Sequence, residues 1–130
     1  MILVDSSIIL DIFTEDPKWF GPSAAKLAAL GVKMPLAINA IIWSEVSAPL
    51  ASPEDAEQRL SAYKVLPLPV AAAFWAAKAF LRYRKAGGNK VRPLPDFFIG
   101  AHAYVAGLPL LTRDPARVKR YFPSVELVAP

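Results

Sequence analysis

The chain has 130 residues, of which 55% are hydrophobic, and it contains no cysteine. This composition predicts one folded domain over 1–130, and it excludes a disordered chain, a disulfide scaffold and a thiolate metal site. The formal net charge of +4 is uneven, because 1–65 hold five Lys/Arg and eight Asp/Glu (net −3) while 66–130 hold ten and three (net +7). Such asymmetry suits a protein that binds a polyanion beside a cation, and a solvated basic surface is the alternative.

The start of the chain lacks the features of a secretory signal. No basic segment precedes the first apolar run, and Asp5 follows that run at once. No apolar run approaches the roughly 18 residues of a membrane span. The longest candidate, 70–81, includes Lys78. We therefore expect a cytoplasmic protein without a membrane segment.

Short apolar runs alternate with helical patterns along the chain. Asn39 and Ser52 precede helices as caps, and Gly31 and Gly107 follow helices as stops. In chain order, we predict a strand at 1–4, helices at 6–13 and 22–30, a strand at 34–38, helices at 40–48 and 53–63, a strand at 65–68, helices at 70–85 and 96–106, a strand at 108–112, a helix at 115–121 and a strand at 125–128. This alternation predicts an α/β fold with a mostly parallel sheet covered on both faces, and ligands beyond the carboxyl ends of its strands.

Four acidic residues stand where separate pieces of chain begin or end. Asp5 follows the first strand, Glu45 lies in an apolar helix, Asp96 opens a helix and Asp114 follows the fourth strand. Desolvating a carboxylate is costly, so four acids in such places predict a shared cation, with Mg²⁺ or Mn²⁺ as the natural candidates. Each acid alone has an ordinary explanation, namely a helix cap, a turn or a solvated side chain.

Hydroxyl groups accompany these acids. Ser6 and Ser7 can hydrogen-bond Asp5 or hold water, and helix capping is their alternative role. Thr112 can orient a carboxylate or water near Asp114.

Basic residues crowd near Asp96 and Asp114. The candidates for binding RNA phosphates are Arg84, Lys90 and Arg92 before Asp96, and Arg113 beside Asp114; Arg117, Lys119 and Arg120 lie close in sequence. For any one of them, a solvated surface role is the alternative. The only histidine, His102, falls about 240° round the helix from Asp96, which predicts a packed or interface role. A ribonuclease using a histidine acid–base pair is excluded by count.

The ordered set of motifs resembles the PIN-domain family, and within it the VapC-type toxin ribonucleases of type II toxin–antitoxin systems. The motifs are Asp5-Ser6-Ser7, a mid-chain Glu45, the segment 95–103 (PDFFIGAHA) and Leu111-Thr112-Arg113-Asp114, and the resemblance covers essentially the whole chain. It implies a three-layer α/β/α sandwich with a parallel five-stranded sheet. It also implies that Asp5, Glu45, Asp96 and Asp114 are catalytic residues that bind one or two Mg²⁺ or Mn²⁺ ions, supported by Thr112 and Ser6 or Ser7. The implied activity is hydrolysis of RNA, and the implied partners are a second copy in a homodimer and a cognate antitoxin.

Two other functions fit the residues less well. A phosphohydrolase with Asp5 as nucleophile would usually have a second acid two residues later, where this chain has Ser7. A non-catalytic nucleic-acid- or protein-binding module would use the acids only as caps and the basic half for docking.

Overall fold

The computed structural model describes all residues from 1 to 130 and contains five strands and seven helices. The strands are β1 (Ile2–Val4), β2 (Leu36–Ile38), β3 (Lys64–Val65), β4 (Leu110–Leu111) and β5 (Leu127–Val128). The helices are α1 (Ser6–Phe13), α2 (Phe20–Lys33), α3 (Ala40–Ser47), α4 (Pro53–Arg59), α5 (Val70–Lys85), α6 (Pro95–Ala106) and α7 (Ala116–Tyr121). None of these helices has the length and apolar character needed to cross a lipid bilayer.

The five strands form one sheet in the order β3-β2-β1-β4-β5, and every neighbouring pair is parallel. The predicted three-layer α/β/α sandwich with a parallel sheet is therefore confirmed. The chain builds β1, β2 and β3 outward in one direction and then returns to add β4 on the other side of β1. This reversal creates a crevice at the carboxyl ends of β1 and β4, which is where open parallel sheets bind ligands.

The core lies along the sheet and under α6. The side chains of β1 are buried, and α6 buries six of its twelve residues. Helix α5 packs against α6, and its buried residues are Ala72, Ala76 and Ala79, a small-residue stripe with helical spacing. On α6, a Cβ at Gly100 would stand 2.8 Å from the Phe122 ring, so a side chain there would push α6 off its neighbour.

Several predicted boundaries were wrong, although every predicted element exists. Helix α2 begins at Phe20 and runs to Lys33, so Gly31 lies inside the helix instead of ending it. Helix α4 ends at Arg59 and not near 63. The last four strands are shorter than predicted, because apolar residues flanking them belong to loops that pack on the core.

Candidate functional site

Parallel pairing of the two central strands brings the ends of the chain together. Val4 pairs with Leu111, and the Asp5 amide donates to the Leu111 carbonyl at 2.9 Å. The next residues on the two strands, Asp5 and Thr112, are therefore neighbours, and Thr112 Oγ1 donates to Asp5 Oδ2 at 2.7 Å. Both side chains are buried.

The two serines after Asp5 bind carboxylates. Ser7 Oγ donates to Asp5 Oδ2 at 2.8 Å. Ser6 Oγ donates to Glu45 Oε1 at 2.9 Å and lies 3.4 Å from Asp5 Oδ1. Asp5 occupies the N-cap position of α1, but its side chain makes no capping hydrogen bond. Its oxygens are thus engaged by hydroxyl groups at the crevice, and the capping explanation does not hold for this residue.

Glu45 and Asp96 reach the same crevice from α3 and α6. Burial raises the pKa of Glu45, the hydrogen bond from Ser6 opposes this, and the charges of Asp5 and Asp96 raise it further. Burial and then the charge of Asp5 raise the pKa of Asp96, while the Arg117 guanidinium lowers it part of the way. Like charges that disturb one another in this way belong to one cluster.

Asp114 completes the cluster. A small cavity of about 10 Å³ lies between Asp5, Asp96 and Asp114, with Ile99, Leu110 and Val118 as its apolar wall. The Asp114 amide donates to Thr112 Oγ1 at 3.0 Å, so one threonine holds the backbone of one acid and the side chain of another. We call Asp5, Glu45, Asp96 and Asp114 the acid cluster.

The donor set of the acid cluster fits a hard divalent cation. All of its donors are carboxylate oxygens, with hydroxyl groups behind them, which is the set that Mg²⁺ and Mn²⁺ prefer. As the side chains stand, however, no group of three or more acidic or histidine residues is arranged to hold an ion. Binding therefore requires carboxylates of the acid cluster to turn toward a shared ion.

A wider cleft of about 500 Å³ opens beside the acid cluster. Its wall combines Asp96 and Asp114 with three arginines and two tyrosines, namely Arg113, Arg117, Arg120, Tyr83 and Tyr121. Arg117 Nη1 donates to Asp96 Oδ2 at 3.1 Å. The cleft thus joins cationic and aromatic groups to the acids, which suits a phosphate-bearing ligand.

A model of the PIN domain matches residues 2–121 of the chain. The chain belongs to the PIN-domain family. No protein with a curated description matches its sequence at a significant level.

Three solved structures with this PIN-domain fold illustrate the structural similarity. A chain of the VapBC2 complex of Rickettsia felis bound to promoter DNA matches with a TM-score of 0.74 and 18% identity, over 100% of this chain and 99% of that one. A chain of FitAcB from Neisseria gonorrhoeae matches with a TM-score of 0.70 and 21% identity, over 98% and 96%. A chain of a toxin–antitoxin complex from Klebsiella pneumoniae matches with a TM-score of 0.68 and 22% identity, over 98% and 96%.

The predicted phosphate-binding residues are placed unevenly on this PIN domain. Of Arg84, Lys90, Arg92 and Arg113, only Arg113 lines the cleft. Arg84 instead donates to the Lys90 carbonyl at 2.8 Å within the exposed loop after α5. The residues that take their place in the cleft are Arg117 and Arg120, which come from α7.

Arg113 is itself partly occupied. Its Nε donates to Asp11 Oδ2 at 3.0 Å, and its guanidinium carbon lies 5.4 Å from the centre of the Trp19 ring. Asp11 is 2% exposed and also accepts a hydrogen bond from Ser23 Oγ at 2.7 Å. We call Asp11, Ser23 and Arg113 the buried ion pair after its buried acid, although the Arg113 side chain is 28% exposed. The prediction had not included Asp11, although an acid in the apolar run 8–13 was the same signal that singled out Glu45.

His102 is packed, as predicted. It is 2% exposed, and its Nδ1 lies 2.9 Å from Asn39 Nδ2. Burial lowers the pKa of its imidazole, which favours the neutral ring. Asn39 also caps α3 by accepting from the Ile42 amide, so the pair ties α6 to the start of α3.

Proposed function

We propose that this protein is a Mg²⁺- or Mn²⁺-dependent endoribonuclease and the toxin of a toxin–antitoxin pair. The observation that carries the proposal is the acid cluster, in which four carboxylates from 110 residues of sequence meet at the reversal point of a parallel sheet. Family membership supports nuclease chemistry at this edge.

The residues divide the work as follows. Asp5, Glu45, Asp96 and Asp114 would hold one or two ions. A bound ion supplies an activated water and neutralises charge that develops on the phosphate. Thr112 and Ser7 hold the Asp5 carboxylate by hydrogen bonds, and Ser6 holds Glu45, so these hydroxyl groups fix the direction of the ligand oxygens.

No side chain is needed as nucleophile or as general base. The only histidine is buried against Asn39, and there is no cysteine. Asp5 is enclosed by three hydroxyl groups and is followed two residues later by Ser7, which disfavours the phosphohydrolase alternative.

The cleft supports a polyanionic substrate. Three arginines line it beside the acids, and the second half of the chain, with ten Lys/Arg against three Asp/Glu, provides a basic surface around it. RNA is the substrate we assign. The protein partner we assign is a cognate antitoxin. The solved structures of similar fold come from toxin–antitoxin complexes, which supports this assignment. A homodimer and a cytoplasmic location stay predictions.

The test is cleavage of a labelled single-stranded RNA by the purified protein with Mg²⁺, with Mn²⁺ and with EDTA, beside single-stranded DNA of the same sequence. We expect cleavage of RNA only with a divalent ion. Asp5→Asn and Asp96→Asn should reduce it by on the order of 10³-fold, the size expected when stabilisation of transition-state charge by an ion is lost.

The matched control is Asp55→Asn. Asp55 lies on α4 and pairs with Arg59, so its substitution changes the same chemical group away from the acid cluster. Cleavage that persists in EDTA would refute the metal mechanism. RNA binding without cleavage under every condition would favour the non-catalytic module instead.

A further inference from the structure

Arg117 is the one basic residue that forms an ion pair with the acid cluster. The three ion pairs of the chain join Arg59 to Asp55, Arg113 to Asp11, and Arg117 to Asp96. Arg120 lines the same cleft, but its guanidinium lies over the Tyr121 ring and meets no acid. Arg117 and Arg120 therefore carry the same charge, but only Arg117 contacts an acid of the cluster.

The Arg117 side chain lies over two aromatic rings beside the open cleft. Its guanidinium carbon lies 5.6 Å from the centre of the Tyr83 ring and 5.5 Å from that of Phe97. These contacts with ring faces are weakly directional compared with a hydrogen bond. The Arg117 and Asp96 side chains are 35% and 45% exposed, so the ion pair borders the open cleft.

A guanidinium and a divalent ion compete for the same carboxylate. Arg117 holds one oxygen of Asp96, and it would repel an ion brought to the other because like charges interact strongly at such short range. As the side chains stand, Asp5, Asp96 and Asp114 line one cavity without converging on a point.

We propose that Arg117 is an exchangeable counter-cation. Without the metal it neutralises Asp96, and when the metal binds it turns away from Asp96, within the cleft, and binds an RNA phosphate. The inference rests on the proposed function and extends it. Metal and RNA then bind with positive coupling, since each ligand favours the position of Arg117 that the other needs. By reciprocity, RNA that draws Arg117 away from Asp96 tightens the binding of the metal.

The experiment measures the Mn²⁺ affinity of the full chain from free Mn²⁺ by electron paramagnetic resonance. Each measurement is made alone and with a short 2′-O-methyl RNA, whose integrity is checked on a gel. In the wild-type protein, RNA should tighten Mn²⁺ binding by roughly 5-fold or more. Arg117→Gln should bind Mn²⁺ alone roughly 2- to 5-fold more tightly than wild type, and RNA should no longer change that affinity.

Arg120→Gln is the matched control, because it removes the same charge from the same cleft without touching Asp96. It should weaken RNA binding and retain the coupling. Arg117→Met keeps the stem against Phe97 and Tyr83, and it replaces Arg117→Gln if thermal melting shows that the glutamine variant is misfolded.

Equal Mn²⁺ affinities for the Arg117 and Arg120 variants, with coupling retained in both, would overturn the proposal and leave Arg117 as a fixed structural partner. That result is distinct from failure of the proposed function, in which the wild-type protein itself neither binds Mn²⁺ nor cleaves RNA. In that case both the proposed function and the proposed role of Arg117 are wrong.

Discussion

Asp5 and Asp11 are buried aspartates six residues apart, and the charges around them differ. Asp11 meets a hydroxyl group and the Arg113 guanidinium, so its charge is neutralised within the protein. Asp5 meets three hydroxyl groups and no cation, and three further acids lie around it. Burial of an acid is therefore not what marks a metal site. The proposed metal site differs in carrying negative charge that the protein leaves without a matching number of cations.

The acid cluster shows the same imbalance as a whole. Its four carboxylates share one guanidinium, and two of them have raised pKa values. The buried ion pair contains its own counter-charge, whereas we expect the acid cluster to take its missing charge from a cation in solution. Substitutions at the two places should therefore have opposite consequences.

Breaking the buried ion pair should have the largest effect on stability. Asp11→Ala is expected to lower the free energy of unfolding by about 2 kcal/mol, because the buried Ser23 and the partly exposed Arg113 both lose their acceptor. Urea unfolding measures this change in the free energy of unfolding. Ser23→Ala removes one hydrogen bond and should cost about 1 kcal/mol. An Asp11→Ala cost no larger than that of Ser23→Ala would show that the charge pair contributes nothing.

Removing a hydroxyl group from the acid cluster should affect function more than stability. Thr112→Val keeps the side-chain shape but removes the donor to Asp5 and the acceptor for the Asp114 amide. We expect Mn²⁺ affinity and RNA cleavage to fall by roughly 10- to 100-fold, as for other groups that orient metal ligands. Thr14→Val is the control, since the Thr14 hydroxyl bonds only the Leu10 carbonyl at the exposed end of α1. Unchanged Mn²⁺ affinity in Thr112→Val would mean that the Thr112 hydroxyl does not orient Asp5 toward the ion.

Neutralising one acid of the cluster should stabilise the metal-free protein slightly. The pKa of Glu45 is raised in the folded state, so the folded protein holds the proton more tightly than the unfolded chain. Its contribution to stability is full at pH values below the ordinary carboxyl range and is lost as the pH rises through the raised pKa. Glu45→Gln avoids that loss and should melt roughly 1–3 °C above wild type near neutral pH.

The advantage of Glu45→Gln should vanish as the pH falls toward about 4, where Glu45 of the wild-type protein is protonated as well. Added Mn²⁺ should reverse the order, because only the wild-type protein keeps the full set of ligands. Melting curves in EDTA and in Mn²⁺ give both comparisons. A lower melting temperature for the variant in EDTA would show that Glu45 has a partner beyond Ser6.

The architecture could be predicted from the sequence because it depends on local signals. The alternation of apolar runs and capped helices specified every element and the parallel sheet. The predicted helix boundaries were wrong where the residue taken as a helix stop is only weakly unfavourable inside a helix. Gly31 costs only about 1 kcal/mol inside an exposed helix, so α2 runs through it.

The acid cluster was predictable in part for the same reason. Acids that follow apolar runs lie at the same edge once the strands are parallel. From this rule the sequence predicts that Asp5 lies near Thr112 and Asp114. Of the predicted basic residues only Arg113 lines the cleft, because sequence proximity is a poor guide to contact between helices. Arg92 lies four residues before Asp96, but the residue that pairs with Asp96 is Arg117, which lies 21 residues further along on α7. The partner of Arg113 is even more remote, since Asp11 lies 102 residues away.

The sequence separation of 107 residues between Asp5 and Thr112 also has a consequence for synthesis of the protein. The first acid leaves the ribosome early, but the strand that places its hydroxyl partner and Asp114 beside it is made near the end. A nascent chain therefore carries most of its helices before the acid cluster can form. The two halves of this edge are thus joined only when nearly all of the chain is available to fold.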